Sequence, residues 1–246
     1  MLIVLRDENI LRPTMNSYLK TSIVIVGAFF LIGIFLFIYS SGSYVPLNYR
    51  MTSDMGEVSK QGVRVEKKIF GNSVKGKVIE GYEIGSGENT ILFFGAIHGN
   101  EMGTAELLRQ FVLEISLNPS LVSQQNTLIV IPVANPDGYY DRTDNLNANK
   151  VNLNLNFATS DWKKNGPEGT YAGPQPFSEI ESQVIKGVVE RYKPSMMISF
   201  HSHGNLISPE KTAASIALAK WYASKSGYKY FDEWDYPGTA TKWFEE

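Results

Sequence analysis

The chain contains no cysteine. This absence excludes disulfide bonds, thiolate zinc sites and cysteine nucleophiles, so any metal ion must be held by histidine and carboxylate side chains. Histidine is also scarce, with three in 246 residues. The chain also has no large excess of positive or negative charge: its net charge is −2, and the basic residues form no dense run. A sequence without a basic patch gives no reason to predict a nucleic acid partner.

Long hydrophobic runs are rare in this chain, with one exception near its beginning. Residues 22–39 read SIVIVGAFFLIGIFLFIY and carry no charge. That length is close to what an α-helix needs to cross a bilayer. Arg6, Arg12 and Lys20 precede the run. Basic residues favour the cytoplasmic side, so the N-terminus is predicted to stay in the cytoplasm.

This run divides the chain into four predicted parts. Residues 1–21 form the cytoplasmic N-terminus, 22–39 the transmembrane anchor, 40–62 a polar linker and 63–246 the functional domain. The protein is then a single-pass protein of the cell membrane with its domain outside the cytoplasm. If the apolar run is instead a cleaved signal peptide, the domain is secreted.

The remaining sequence alternates between β-rich apolar runs and helical patterns. Strands are predicted at 63–71, 77–85, 89–97, 127–135 and 195–201, and helices at 102–116, 178–191 and 211–225. Ser178 and Glu181 have the spacing of a capping box at the start of the second helix. The alternation predicts an α/β fold, with a mixed, mostly parallel central sheet and helices on both faces.

Polar side chains follow three of the buried strands. His98 ends the first, the sequence NPDG (135–138) ends the second, and His201 ends the third. Sites in such folds form at the carboxyl ends of the strands. Glu101 lies one turn after His98, and two histidines with one carboxylate are a common ligand set for catalytic zinc. By composition alone, His203 is as good a third ligand as His201.

Each of these patterns also has a purely structural interpretation. A His-x-x-Glu pair arises by chance at many helix starts, and NPDG is by itself a turn signal, because proline fixes φ and glycine permits positive φ. The order of several motifs along the chain is more specific than any one of them.

Four motifs, HGNE (98–101), NPDG (135–138), NANKVNLNLNF (147–157) and SFHSHG (199–204), occur in this order. Together they resemble the M14 family of zinc metallocarboxypeptidases, most closely the small bacterial members that trim cell-wall (murein) peptides. The segment TYAGPQPFSEIES (170–182) also resembles a family segment that precedes a helix. The resemblance covers about residues 60 to 246 and implies a metallocarboxypeptidase-like fold.

The resemblance implies a role for several residues. His98, Glu101 and His201 match the ligands of one zinc ion. Asn154 matches the asparagine that helps to bind the terminal carboxylate of the substrate. Tyr236 is a candidate for the family's substrate-binding tyrosine.

Two positions depart from the family pattern for carboxylate binding. Leu155 stands where the family has the arginine that pairs with the substrate carboxylate, and Asn145 stands where a second arginine is expected. Arg142 could substitute if the loop is shifted. Leucine cannot imitate a bidentate arginine–carboxylate pair, so recognition of a free terminal carboxylate is in doubt. Asn152 replaces a family aspartate and removes a charge.

The catalytic general base of the family is a glutamate on the last strand, which is expected beyond residue 246. No catalytic residue is therefore assigned within the chain, and the sequence is interpreted as a C-terminally truncated member. Glu245 and Glu246 come too early for this role and are expected to begin or cap a helix.

The resemblance implies a zinc metallocarboxypeptidase that hydrolyses peptide bonds near the C-terminus of peptides, with peptidoglycan stem peptides as its substrates. Two alternatives stay open. The first is an inactive metal- or peptide-binding module of the same fold, and the second is a related zinc deacylase of N-acyl amino acids.

Overall fold

The computed structural model describes the backbone of residues 2–5, and residues 63–142, 144–202 and 204–246. Within that part of the chain, no helix has both the length and the apolar character needed to cross a membrane. The predicted anchor at 22–39 and the predicted linker at 40–62 lie outside the described residues, so both stay predictions.

In the part of the chain that the structure describes, eight strands form a single sheet. The strands are β1 (Leu2–Leu5), β2 (Val65–Asn72), β3 (Val78–Gly85), β4 (Asn89–Phe94), β5 (Asn126–Ile131), β6 (Met196–Ser199), β7 (Leu206–Pro209) and β8 (Lys229–Tyr230). Their order across the sheet is β2-β3-β5-β4-β6-β1-β7-β8. The sheet is mixed, as predicted, and four of its seven neighbouring strand pairs are parallel. The three parallel strands β5, β4 and β6 lie side by side, so their carboxyl ends meet at one edge.

The strand β1 comes from the beginning of the chain, yet it lies inside the sheet. Its backbone pairs antiparallel with β6 and parallel with β7. Residues 2–5, which were predicted to belong to a separate cytoplasmic N-terminus, thus lie in the sheet of the domain between β6 and β7, and this arrangement is incompatible with a membrane crossing at 22–39.

Among the described residues, five α-helices accompany the sheet: α1 (Met102–Leu117), α2 (Pro136–Asp141), α3 (Ile180–Tyr192), α4 (Ala213–Ser226) and α5 (Ala240–Glu245). Successive residues of β4 point to opposite faces of the sheet, as the period of a strand requires. Phe93 packs in a core cluster with residues of α1 and α4. Phe94 packs in a second cluster with residues of α3 and α5. The prediction of helices on both faces is thereby confirmed.

One local expectation is wrong, and two short strands were not predicted. The predicted capping box does not form, because α3 begins at Ile180 with Glu179 as its N-cap and without a side-chain cap bond. Ser178 donates to the Glu179 carboxylate at 2.9 Å instead, and Glu181 accepts from the Val74 backbone N–H at 3.1 Å. The strands β7 and β8 were not predicted, because strands of four and two residues are too short to show a period.

Candidate metal centre and substrate cavity

The segment after β4 carries the first two candidate ligands. Ala96 has a φ of 45°, in the left-handed region that non-glycine residues seldom adopt. Thr104 of α1 stabilises this turn, since its hydroxyl accepts from the Ala96 N–H at 2.8 Å. A further turn follows, in which the Glu101 N–H donates to the His98 carbonyl at 3.2 Å. Two tight turns thus bring the side chains of His98 and Glu101 to the same side of the chain.

His201 follows β6, which pairs with β4, and it meets the other two residues at the carboxyl edge of the sheet. Its Nδ1 lies 3.0 Å from Glu101 Oε2 and 3.3 Å from His98 Nδ1, and His98 Nδ1 lies 3.3 Å from Glu101 Oε1. One ligand atom from each residue falls within 4.8 Å of the others. We call these three residues the metal triad.

The Nε2 atoms of the two imidazole rings, which do not face the metal triad, contact neighbouring polar groups. His98 Nε2 lies 3.2 Å from Asn152 Oδ1, and His201 Nε2 lies 3.0 Å from Ser199 Oγ. An amide oxygen can only accept, so His98 Nε2 carries a proton and donates it to Asn152. Nδ1 then donates to Glu101 while the ring is protonated, and in the neutral ring its lone pair faces the triad. Such a partner fixes both tautomer and ring orientation in metal sites. The donor set of two imidazole nitrogens and one carboxylate fits zinc.

Burial shapes the protonation of the triad. Burial disfavours the charged form of Glu101, but hydrogen bonds with His201 and His98 outweigh this and lower its pKa to about 2. Burial also lowers the pKa of His201, against the opposing effect of Glu101. The ionised carboxylate and the neutral imidazole are the forms that bind a metal ion. The triad therefore supplies one negative charge and unprotonated nitrogen to a cation.

Asn152 offers a direct test of this arrangement. The change Asn152→Ala removes the acceptor for His98 Nε2, and the metal affinity is expected to fall about 10- to 100-fold, as is usual when such a partner is lost. Zinc affinity is measured by competition with a chromophoric chelator. Asn152→Asp is the control, because it keeps an acceptor oxygen at this position and should bind zinc at least as tightly as the parent chain. An unchanged affinity in Asn152→Ala would contradict the assigned role.

The metal triad opens into a cavity of about 340 Å³, which we call the substrate cavity. Four residues selected from the sequence for substrate binding line it: Asn145, Asn154, Leu155 and Tyr236. Arg142 is exposed at the end of α2 and is not among the lining residues. His203 lies outside the described residues, so the structure does not address its alternative assignment as a ligand.

The loop that carries these residues is held by buried asparagines. Asn156 is fully buried, and its amide donates to the carbonyls of Ala172 and Gln175 at 2.7 and 3.1 Å. Its oxygen accepts from the Glu179 N–H at 3.1 Å and from the Ser182 hydroxyl at 2.7 Å. Every polar atom of this side chain thus has a partner, and the loop is fixed to the start of α3.

The turn before α5 closes the cavity from the other side. Gly238 has a φ of 76°, and a Cβ at this position would lie 2.3 Å from the Leu155 carbonyl oxygen. Its carbonyl accepts from the Phe157 N–H at 3.0 Å. Only glycine permits this close approach, which brings Trp234 and Tyr236 to the cavity. Glu245 was expected to begin or cap a helix, but it is the last residue of α5, and its carboxylate accepts from the N–H groups of Lys211 and Thr212, which precede α4.

The sequence interpretation missed several residues of the site. Ser199 contacts His201, and Glu210 and Trp234 line the cavity, although none was singled out. Glu210 directly follows β7. His98 and His201 were selected because sites form at the carboxyl ends of strands, and the same rule would have selected Glu210 if this short strand had been predicted. Trp234 lies in a segment without periodicity, and nothing in its local sequence marks it.

Comparison with known proteins extends this picture. A model of the zinc carboxypeptidase family Peptidase_M14 matches residues 51–226. Bacteriocin BCN5 of Clostridium perfringens is 29% identical over 179 residues, which cover 66% of this chain and 20% of the relative. Carboxypeptidase B of Astacus astacus is 27% identical over 164 residues, which cover 55% of this chain and 54% of the relative.

Among solved structures, the murein-tripeptide amidase MpaA of Escherichia coli O157 has a similar fold. The TM-score is 0.56 at 23% identity, and the match covers 72% of this chain and 76% of that one. The chain spans between a fifth and about half of the length of the curated relatives it matches.

Proposed function

The chain belongs to the M14 family of zinc carboxypeptidases, and we propose that it acts as a zinc-dependent metallocarboxypeptidase, which hydrolyses peptide bonds near the C-terminus of peptides. One observation carries this proposal: the metal triad lies at the mouth of the parallel strands and opens into a cavity of about 340 Å³. Cavities of this size accommodate small ligands. A site with only three protein ligands leaves a coordination position free for substrate or water.

His98, Glu101 and His201 are the residues that would hold the ion. Bound zinc supplies a Lewis acid, which polarises the scissile carbonyl group and makes water more acidic. The remaining contributions come from the chain itself. Asn152 and Ser199 orient the imidazole rings, and Asn154 offers an amide to the substrate from the wall of the cavity. The general-base glutamate expected beyond residue 246 stays a prediction.

Peptidoglycan stem peptides are the proposed substrates, cut near the C-terminus or at the bond between γ-D-glutamate and a diamino acid. Support comes from the sequence motifs that resemble bacterial cell-wall members and from the shared fold with a murein-tripeptide amidase. The apolar run at 22–39, with basic residues before it, supports a single-pass location with the domain outside the cytoplasm. Such a location requires β1 to leave the sheet, because residues 2–5 would then lie on the other side of the membrane. Protease treatment of intact cells tests this location, because an outward-facing domain would be digested without lysis.

A second candidate function is a metal-binding module without catalytic activity. It is favoured by Asn145 and Leu155, which line the cavity where the resemblance implies arginines. A peptide could still be bound in such a cavity, but a free terminal carboxylate would be held weakly.

One experiment separates these functions. The full chain is loaded with zinc and offered γ-D-glutamyl–diamino acid peptides and N-acyl amino acids, with and without a chelator. We expect chelator-sensitive hydrolysis of the peptides. Zinc binding without any hydrolysis would favour the binding module, and hydrolysis of the N-acyl amino acids alone would favour a deacylase.

A further inference from the structure

The domain has another cavity, which lies apart from the metal triad. Its volume is about 200 Å³, and it shares no lining residue with the substrate cavity. We call it the side cavity. Its walls come from β3, which supplies Val78 and Tyr82, from α1, which supplies Arg109, and from the chain between β5 and the end of α2, which supplies Val133 and Tyr140.

Arg109 brings a positive charge to the side cavity without a carboxylate partner. Its side chain is half-buried on α1, where the guanidinium donates to the Tyr139 hydroxyl at 3.0 Å and lies 5.5 Å from the centre of that ring. In the part of the chain that the structure describes, Arg109 forms no salt bridge. A guanidinium cannot lose its proton, so the cost of burying its charge is relieved only by an anion.

The other charged groups that line the side cavity are already paired. Lys77 lies 3.1 Å from Asp141, and Glu80 lies 2.8 Å from Lys67. Arg109 is thus the uncompensated charge among the described residues that line the cavity. A single unpaired positive charge matches a ligand with one negative charge better than it matches a phosphate dianion.

The walls around Arg109 are largely apolar and partly open to solvent. Val133 is buried, whereas Val78 and Tyr140 are 44% and 64% exposed. Large side chains of this kind lose apolar surface to water when a ligand covers them. The side cavity is also smaller than the range of about 300–1,000 Å³ that is usual for drug-sized ligands. A small molecule with both an anionic group and an apolar body fits these properties.

We propose that the side cavity binds a small monocarboxylic acid, whose carboxylate pairs with Arg109 and whose apolar body lies against Val133 and Tyr140. The planar guanidinium matches the two oxygens of a carboxylate and can donate to both of them. This site goes beyond the proposed peptidase function and does not depend on it, because its residues are not those of the substrate cavity.

The test compares two probes that have the same shape and differ in charge. Benzoate carries a carboxylate, and benzamide is its neutral counterpart. Binding of each probe to the zinc-loaded full chain is measured by calorimetry. We expect benzoate to bind about tenfold or more tightly than benzamide, in keeping with a charge-assisted hydrogen bond. Inorganic phosphate is the third probe and should bind more weakly than benzoate, because it has no apolar body.

Arg109→Gln should lower the affinity for benzoate about tenfold or more and leave the affinity for benzamide within about twofold of the parent value. Arg191→Gln is the matched control, because Arg191 is also a helical arginine over a tyrosine ring, 5.2 Å from the centre of Tyr192, but is exposed on α3. It should leave both affinities unchanged. The melting temperature is measured for every variant.

Val78→Trp gives a second measurement if Arg109→Gln does not fold. Val78 is exposed at the wall of the side cavity, so a larger ring is tolerated there and fills the space of the ligand. We expect both organic probes to bind about tenfold or more weakly to this variant. Benzoate that binds to the zinc ion instead would bind equally well to both variants and would be released by a chelator.

Three results would overturn the proposal: equal binding of benzoate and benzamide to the parent chain, unchanged benzoate binding in Arg109→Gln or Val78→Trp, or phosphate binding as tight as that of benzoate. Failure of the peptidase function is a different result, namely no hydrolysis of any peptide. It leaves these three comparisons unaffected, because each of them measures binding at a site without a metal ligand.

Discussion

Replacing His201 by alanine is expected to weaken zinc binding by about 100-fold or more and to reduce peptide hydrolysis to background. Structural zinc sites with four ligands bind with about 10–16 kcal/mol, so one ligand contributes about 3 kcal/mol. In this chain we expect the loss of zinc affinity to be larger than the contribution of one ligand, for a further reason. Glu101 would lose the contact at 3.0 Å that helps to keep its buried carboxylate ionised. Zinc content after dialysis and hydrolysis of a γ-D-glutamyl peptide are the two measurements.

His203→Ala is the informative comparison for this variant. By composition His203 is an equal candidate for the third ligand, and it lies outside the described residues. We expect His203→Ala to keep its zinc, since His98, Glu101 and His201 already form a convergent triad. The opposite pattern, with zinc retained in His201→Ala and lost in His203→Ala, would show that the ligand assignment is wrong.

Asn156→Leu is expected to destabilise the domain by about 3–5 kcal/mol, because leucine has a similar size but can neither donate nor accept. The carbonyls of Ala172 and Gln175 and the N–H of Glu179 would then lose their partner. For a domain of this length, such a loss corresponds to a fall in melting temperature of about 10 °C. Thermal unfolding followed by circular dichroism measures it.

Asn149→Leu is the control, because Asn149 is exposed and its side chain makes one hydrogen bond, to the Glu179 carboxylate at 2.8 Å. Its expected cost is below about 1 kcal/mol. If both variants unfold at the same temperature, Asn156 does not hold the cavity loop in the way its hydrogen bonds indicate. We also expect Asn156→Leu to weaken substrate binding below its melting temperature, because Asn154 and Leu155 belong to the same loop.

The buried strands and the first half of the metal triad can be predicted from the sequence, because they depend on residues that are neighbours along the chain. The apolar runs at 89–97 and 127–135 indicate buried strands, and β4 and β5 lie within about a residue of their predicted starts. His98 and Glu101 are one turn apart, so their convergence is a local property of that turn. The position of His201 after a neighbouring strand follows from the rule that parallel strands end at the same edge.

Local patterns gave the wrong answer where distant partners compete with them. Ser178 and Glu181 have the spacing of a capping box, yet the Glu181 carboxylate accepts from Val74, which lies 107 residues away. A buried carboxylate accepts from whichever donor the packed core brings to it, and spacing along the chain carries no information about that donor.

The sequence by itself determined the ligand types, the family and the alternation of strands and helices. Only the tertiary structure decided how the site is completed. It placed Asn152 beside His98, 54 residues away along the chain, which selects the proton position of the ring. It also brought Glu210, Trp234 and Tyr236 into one cavity with the metal triad. The physical reason is that turns and periodicities arise from nearby residues, whereas burial, charge compensation and cavity shape arise from packing between segments that the sequence keeps far apart.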